Sequence, residues 1–303
     1  MGDLAAARHI AELLNARLQR PRIAVRSSFI VSSDPDTPPP MTLMLRGGRG
    51  GEVKLKLLLS MLWVAVREPY DVSQPARVWA ELIGLDEPET KGAARVNAAI
   101  RRLVEGGFLA AERRPGNPSR LFLREETGSG APYSHPGSHW ITKKAKKDKD
   151  APRYTQLPAT LWLNGWIAAL SAPALAMLLI LLEQTRGKTF EGLWFAPSVA
   201  AKRYKLSETT RRKGIDELVQ LNLVFVDRVP IGRGTLGAIR ERNTFTVNLP
   251  RLEEHPEDNP EILRIVSAGV RPRRRASVLE DRLDKLAATT VKPPAPADNS
   301  RKP

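Results

Sequence analysis

One pattern of apolar residues occurs twice in this chain, and the repeat limits the folds available to it. The first copy reads AAIRRLVEGGFL at 98–109, and the second reads KGIDELVQLNLV at 213–224. The copies agree at apolar positions, which are Ile100, Leu103, Val104 and Leu109 in the first and Ile215, Leu218, Val219 and Val224 in the second. This spacing predicts an amphipathic helix that packs on a core. We therefore predict two copies of one structural unit.

Each copy is surrounded by predicted elements in the same order. In the first half the patterns predict helices over 53–67, 73–85 and 90–109, and then a β-hairpin around a turn at 115–119. In the second half they predict helices over 171–184, 198–206 and 207–222, followed by two strands around a loop rich in glycine and arginine. We therefore predict a mainly α fold with small β-hairpin wings (α+β), built as two winged helix-turn-helix domains joined by a flexible linker.

Changes in composition divide the chain into five predicted segments. They are an N-terminal helix and disordered segment at 1–50, winged-helix domain 1 at 51–126, a linker at 127–153, winged-helix domain 2 at 154–250, and a charged, partly helical C-terminal tail at 251–303. The linker is rich in glycine, serine and proline and then in lysine, which is typical of a solvated spacer.

The charge balance indicates a polyanionic partner. The chain has 48 Lys and Arg residues against 33 Asp and Glu residues, which gives a formal net charge of +15 at pH 7. Nucleic acid is the commonest partner of so basic a chain. The longest apolar run, at 174–182, is too short to span a bilayer. We therefore expect no membrane partner and a cytoplasmic, nucleoid-associated protein.

Several kinds of chemistry have no residues to support them. The chain has no cysteine, which excludes disulfides, thiol catalysis and cysteine-based zinc sites. No phosphate-binding loop of the Gly-Lys-Ser/Thr type is present. His135 and His139 are four residues apart, but they lie in the predicted linker without a neighbouring carboxylate. We therefore expect no enzymatic activity, no metal and no cofactor.

The stretch LSETTRRKGIDELVQLNLV, at 206–224, begins with hydroxyl and cationic residues and ends with apolar ones. The N-terminal turns of a recognition helix face the bases of the major groove, where hydroxyls, arginine and lysine find partners. The candidate DNA contacts of this helix are Ser207, Thr209, Thr210, Arg212 and Lys213. The candidates in the following wing are Arg233, Arg240 and Arg242, which suit the negative potential of a narrow minor groove. The alternative is that these residues form a solvated surface.

The first half has a less polar version of the same stretch. Its equivalent turn, KGAARVN at 91–97, has glycine and alanines where the second half has hydroxyls. The candidate contacts here are Lys91, Arg95 and Asn97 on the helix and Arg114 and Arg120 in the wing. We interpret this half either as a second, weaker DNA reader or as a dimerisation module, and we place the main reader in the second half.

The two helices resemble those of the gluconate-repressor (GntR) family of bacterial regulators. In that family the helix runs Ser-x-x-Thr-Val-Arg-Arg-Ala-Leu-x-x-Leu, and here the second copy has Ser207, Thr210, Arg212 and Leu218 at matching positions. Arg211 stands where the family keeps an apolar valine. The resemblance covers about forty residues per copy and implies a winged helix that binds DNA.

A second resemblance begins at residue 154. The segment YTQLPATLWLNGWIAALSAPALAMLLILLEQ is similar to the opening of winged-helix domains in plasmid replication initiators, on Tyr154, Leu157, Pro158, Leu170, Ser171 and Leu178. It implies tandem winged helices on repeated DNA. We predict sequence-specific binding of double-stranded DNA, as a homodimer, for transcriptional regulation. The alternatives are a replication initiator of a plasmid or integrative element, and a protein-interaction or chromosome-organisation module.

Overall fold

Helices carry most of the structure, and the strands pair in small antiparallel sheets. The computed structural model describes residues 2–32, 34, 36–46, 49–140, 153–185, 190–233 and 239–268. The helices are α1 (Leu4–Leu18), α2 (Ser27–Ile30), α3 (Pro40–Leu45), α4 (Arg49–Val64), α5 (Ala76–Leu82), α6 (Ala93–Glu105), α7 (Thr160–Leu163), α8 (Trp166–Ala169), α9 (Ala172–Thr185), α10 (Pro197–Tyr204), α11 (Glu208–Gln220) and α12 (Pro260–Ala268). The strands are β1 (Arg22–Arg26), β2 (Asp71–Val72), β3 (Leu109–Glu112), β4 (Arg120–Leu123), β5 (Tyr154–Pro158), β6 (Val224–Arg233) and β7 (Ile239–Val247).

These elements confirm the α+β class in its general form. In the described residues β1 pairs with β5, β2 and β3 flank β4, and β6 pairs with β7, all antiparallel. The predicted hairpins therefore exist, and each directly follows the helix that the apolar repeat predicted.

Both halves of the chain contain the same order of elements. The first half runs α4, β2, α5, α6 and the β3–β4 hairpin, and β2 lies beside β4. The second half runs α9, a single bridge at Leu193, α10, α11 and the β6–β7 hairpin, and Leu193 pairs with Phe245 on β7. The similarity extends upstream, because β1, α2 and α3 precede α4 as β5, α7 and α8 precede α9.

The equivalent strands β1 and β5 pair with each other. The ladder matches Arg22 with Pro158, Ala24 with Gln156 and Arg26 with Tyr154. Two equivalent strands that pair antiparallel are related by a local two-fold axis, which here passes near the central pair. The two halves therefore join where their first strands pair.

Buried residues of both halves form one continuous core. The rings of Trp63 on α4 and Trp162 on α7 stack with their centroids 5.3 Å apart. The indole N–H of Trp162 also donates to the buried hydroxyl of Ser60, at 3.0 Å. Residues Met1–Val270 accordingly form one compact unit, whereas Arg271–Pro303 lie outside the described residues.

The segment 1–50, predicted to be partly disordered, contributes to this core. Leu4 of α1, Phe29 of α2 and Met41 of α3 are all buried. The proline-rich composition around 32–40 is typical of a solvated segment, so the sequence did not predict this contribution. The residues on either side of that stretch pack on residues that are distant in sequence. Residues 33, 35, 47 and 48 lie outside the described part of the chain.

Parts of the predicted linker and tail are also packed. Tyr133 is buried and meets the ring of Tyr70 edge-on, with centroids 5.0 Å apart. Beyond domain 2, the indole N–H of Trp166 donates to the carbonyl of Glu254, at 2.9 Å. Residues 141–152 of the linker and 269–303 of the tail lie outside the described residues.

A buried ion pair holds β1 against the end of the first hairpin. Arg26 and Glu126 are almost fully buried, and Arg26 Nη1 donates to Glu126 Oε2 at 2.7 Å. The backbone N–H of Arg26 donates to Glu126 Oε1 at 2.8 Å, and Arg26 Nη2 donates to the Ser134 carbonyl at 2.8 Å. Burial raises the pKa of the Glu126 carboxyl, although Arg26 opposes that shift. The charge of Glu126 is therefore tolerated only because Arg26 faces it.

We expect Arg26→Met to lower the free energy of unfolding by about 3–5 kcal/mol, since it leaves the buried Glu126 carboxylate without its cation. The double variant Arg26→Met/Glu126→Gln should recover much of that loss, because the neutral amide still accepts from the backbone N–H of residue 26. Urea denaturation followed by circular dichroism measures both changes. Equal stability of the single and double variants would contradict this account of the pair.

Candidate nucleic-acid interface

The helix predicted to be the main DNA reader begins with an internal cap. Ser207 is the N-cap residue of α11, and its Oγ accepts the backbone N–H of Thr210 at 3.1 Å. The Thr210 hydroxyl lies 2.8 Å from the same Oγ. Two of the predicted contact hydroxyls therefore stabilise the start of the helix.

The other predicted residues of α11 face solvent. Thr209, Arg212 and Lys213 are exposed, and the two cations lie three and four residues after Thr209, on the same side of the helix. Arg212 Nε lies 3.7 Å from Asp216 Oδ2 on the next turn, which orients the guanidinium along the helix. This face of α11 therefore combines two cations and a hydroxyl at the surface.

The opposite side of α11 is fixed closely against α9. A Cβ atom at Gly214 would lie 2.3 Å from the carbonyl oxygen of Pro173 and 2.7 Å from Met177 Cγ, so only glycine permits this approach. One turn later, the buried Glu217 accepts the backbone N–H of Ser171 at 2.7 Å and also the Ser171 hydroxyl. Burial raises the pKa of the Glu217 carboxyl. These contacts determine which side of α11 is left for a ligand.

The equivalent helix of the first half is more cationic at its surface than expected. Its buried positions include Val96 and Leu103, and its exposed side carries Arg95, Asn97, Arg101 and Arg102. Arg102 Nη1 lies 3.0 Å from Glu105 Oε2. Arg101 and Arg102 were not among the predicted contacts, because the prediction used only the first turns of the helix. Their spacing from Arg95, opposite the apolar positions, was the signal that identifies them.

Lys91 lies just before α6, in a π-helical turn at Pro88–Gly92. It is exposed, and its Nζ lies 2.6 Å from Glu87 Oε1. Its charge is therefore partly balanced within its own turn. Of the two predicted cations closest to the start of α6, Arg95 is the one on the exposed face of the helix itself.

The predicted arginines of the first wing have different surroundings. Arg114 is exposed near the tip of the hairpin, with its Nε 3.8 Å from Glu112 Oε1. Arg120 instead binds Asp71 with two nitrogens, and Nη2 donates to Oδ1 at 3.1 Å. That hydrogen bonding lowers the pKa of the Asp71 carboxyl. Arg120 therefore joins β4 to β2, and Arg114 is the cation that remains available at the surface.

In the second wing the side chain of Arg242 lies over an aromatic ring. Its guanidinium carbon lies 4.2 Å from the centroid of the Trp194 ring, and it is half-buried. Arg233 pairs with Ile239 at the end of the ladder and Arg240 pairs with Gly232, but the side chains of both arginines lie outside the described atoms.

The described residues contain no cluster of three or more His, Cys, Asp or Glu side chains arranged to hold a metal ion. Nδ1 of His135 accepts the backbone N–H of Gly137 at 3.0 Å, and burial lowers the pKa of this imidazole. The side chain of His139 lies outside the described atoms. Within the described ranges, each helix is too short or too polar to cross a membrane.

The close approach of α11 to α9 leads to a stability prediction. We expect Gly214→Ala to lower the free energy of unfolding by about 1–3 kcal/mol, because the added methyl group meets a backbone carbonyl that cannot rotate away. Chemical denaturation measures the change. Gly50→Ala is the matched control, since Gly50 is also helical and a Cβ atom added there would have nothing within 4 Å. This control should gain about 0.4–1 kcal/mol, and a stabilised Gly214→Ala would contradict the packing of α11.

The pairing of Arg120 with Asp71 predicts non-additive effects on stability. We expect Asp71→Ala and Arg120→Ala to lower the melting temperature by similar amounts, and the double variant to lower it little further. Because the pKa of Asp71 is depressed, the stabilisation is present above its usual value of 3.8 and is lost as the pH falls through the folded-state pKa. Arg113→Ala, in the exposed hairpin tip, is the control and should leave the melting temperature unchanged. Additive losses would show that the pair is not coupled.

Comparison with known proteins identified no relative of this chain. No protein-family model, no curated protein and no solved structure matches the chain. The interpretation of the site therefore depends on the residues and contacts described above.

Proposed function

We propose that this protein binds double-stranded DNA sequence-specifically through two winged helix-turn-helix halves and has no enzymatic activity. The order of elements supports the proposal: helix, short strand, two helices and a hairpin, with the short strand beside the second strand of the hairpin, is that of a winged helix. In this interpretation α6 and α11 are the recognition helices, and the β3–β4 and β6–β7 hairpins are the wings.

The observation that carries the proposal is the two-sided character of α6 and α11. One side of α6 buries apolar residues, one side of α11 buries Gly214, Asp216, Glu217 and Leu218, and both helices expose cations on the other side. Those cations project from helices whose positions are fixed by the core, as base-edge and phosphate contacts require. A net charge of +15 adds a long-range attraction for DNA.

We further propose that both halves contact DNA. The proposed contacts of α6 are Arg95, Asn97, Arg101 and Arg102, and those of α11 are Thr209, Arg212 and Lys213. Three exposed arginines on α6 would repel a second copy of the same face, which favours DNA over dimerisation for the first half. Ser207, Thr210 and Arg120 act within the protein and support the contact surfaces.

Transcriptional regulation is the role that we propose first, and replication initiation at repeated DNA is the second. The pairing of β1 with β5 supports joint binding of one continuous site by both halves, which is compatible with either role. An array of direct repeats beside the gene would favour the initiator. A protein-interaction module is the alternative of a different class, and its binding would not weaken steeply as salt rises.

Paired alanine variants test the proposal. Genome-wide footprinting of the tagged protein first identifies a bound site, and fluorescence anisotropy on that duplex then measures affinity. We expect Arg101→Ala/Arg102→Ala and Arg212→Ala/Lys213→Ala each to weaken binding by about 10- to 100-fold. Each pair should also reduce the slope of log affinity against log salt by about one to two units, since each removes two cations.

The control is Arg17→Ala, which removes an exposed cation from α1, away from the proposed helices. Its affinity should stay within twofold of the unmodified protein. Unchanged affinity in the α11 pair would remove α11 from the interface, and unchanged affinity in both pairs would overturn the proposal.

A further inference from the structure

The outward face of the second hairpin is unusually apolar. In the β6–β7 ladder, Phe225 opposes Thr246 and Val229 opposes Arg242, so these residues share one face of the sheet. The alternate residues, such as Val224 and Val247, are buried against the core. The side of the hairpin that carries Phe225 therefore points away from the core.

Trp194 belongs to the same outward face. Its neighbour Leu193 bridges to Phe245, and Phe245 lies on the buried side of β7. Successive residues of an extended chain alternate sides, which directs Trp194 outward. The position of the Arg242 guanidinium over the Trp194 ring, at 4.2 Å, agrees with this placement.

The exposure of these side chains is large. Trp194 is 49% exposed, Phe225 is 48% exposed and Val229 is 38% exposed, and Ile231 at the adjacent bulge is 52% exposed. Single exposed apolar residues are ordinary, but a group on one face indicates an interaction site. The contrast within the chain is clear, since Trp63, Trp79, Trp162 and Trp166 are fully buried.

The first hairpin also places an arginine over an aromatic ring, but there the arginine is held by a carboxylate. Arg120 lies 4.7 Å from the centroid of the Phe122 ring, but Arg120 is held by Asp71 and Phe122 is half-buried. In the second hairpin, Arg242 Nε is shielded from solvent and has no hydrogen-bond partner among the described atoms. The second face therefore presents an accessible indole beside the Arg242 guanidinium.

The charge of this hairpin selects the type of occupant. Residues 224–247 include four arginines, Arg228, Arg233, Arg240 and Arg242, against the two acids Asp227 and Glu241. By the alternation of the ladder, Arg242 and Asp227 lie on the outward face and Arg228 lies on the other face. The net positive charge of the hairpin favours an anionic occupant, and the exposed rings favour one that offers flat apolar surfaces. Unpaired nucleic-acid bases meet both conditions, because they stack on aromatic side chains while their phosphates meet arginine. A duplex keeps its base faces stacked inside the helix.

We propose that the outward face of the β6–β7 hairpin binds single-stranded nucleic acid, with Trp194 as the stacking platform and Arg242 as the adjacent cation. This site goes beyond the proposed duplex binding, because it uses a sheet face and needs unpaired bases. A chain with both surfaces holds duplex DNA through α6 and α11 and an unpaired strand through the hairpin.

The test uses the full chain and a fluorescein-labelled 20-mer of deoxythymidine, followed by anisotropy and by tryptophan emission. The oligonucleotide should quench part of the tryptophan emission, and Trp194→Leu should abolish that quenching. We expect Trp194→Leu to weaken binding of the 20-mer about 10-fold, and Trp194→Phe to retain most of it because a ring remains. Affinity for a 20-base-pair duplex should stay within twofold in both variants.

The matched control is Leu13→Ser, which removes another exposed apolar side chain, 56% exposed, from α1. It should leave binding of the 20-mer unchanged. The proposal is overturned if Trp194→Leu binds the 20-mer as well as the unmodified protein does. It is also overturned if sedimentation velocity shows a dimer that Trp194→Leu dissociates, because the face would then be covered by a second copy.

Failure of this proposal is distinguishable from failure of duplex binding. The Arg101→Ala/Arg102→Ala variant should lose duplex affinity and keep tryptophan quenching by the 20-mer. Loss of both signals in that variant would place the single strand on α6 and overturn the assignment to the hairpin.

Discussion

The antiparallel pairing of β1 with β5 is the interaction on which the rest of the structure depends. The pairing continues beyond the strands, because the N–H of Ser27 donates to the Arg153 carbonyl at 2.7 Å and that of Ala159 donates to the Pro21 carbonyl at 2.8 Å. Because β1 precedes the first half and β5 precedes the second, this ladder joins two units that a linker would otherwise leave independent. The core that follows, with the stack of Trp63 on Trp162, holds them in one arrangement. The positions of α6 and α11 are therefore set by one shared scaffold.

Some cations of this chain hold the structure together and others lie at the surface. The neighbouring sequence does not distinguish the two groups. Arg26 and Arg120 hold strands through carboxylate partners, whereas Arg101 and Arg212 lie on exposed helix faces, where Arg212 pairs with Asp216 of its own helix. The buried Arg26 needs a partner that compensates for its lost hydration, whereas a phosphate can reach a cation on an exposed helix face. The proposed DNA surface is therefore smaller than the basic composition suggests, but it is shared by both halves. Arg242 differs from both groups, because its partner is an exposed indole ring.

Much of the local structure could be predicted because periodicity records which side of an element is buried. The helix predicted over 171–184 is observed as α9 at Ala172–Thr185, and the one predicted over 207–222 is observed as α11 at Glu208–Gln220. The pairing of β1 with β5 could not be predicted in this way, since the partner strands are far apart in sequence and the ladder depends on the folded core. Similarly, the sequence predicted the hydroxyls of Ser207 and Thr210 as ligand contacts. In the structure these hydroxyls lie at the start of α11, where they cap the helix.

The sequence by itself determined the repeated helices, the hairpin that follows each of them and the cationic character of the chain. These properties are local, because they follow from side-chain spacing and formal charge. Only the tertiary structure decided that the halves share a core and that Arg120 serves Asp71. It also decided that Trp194 is exposed while Trp63, Trp79 and Trp166 are buried. Burial and pairing depend on contacts between residues that are distant in sequence. Residues of the same type, such as two tryptophans, therefore acquire different roles only after the chain has folded.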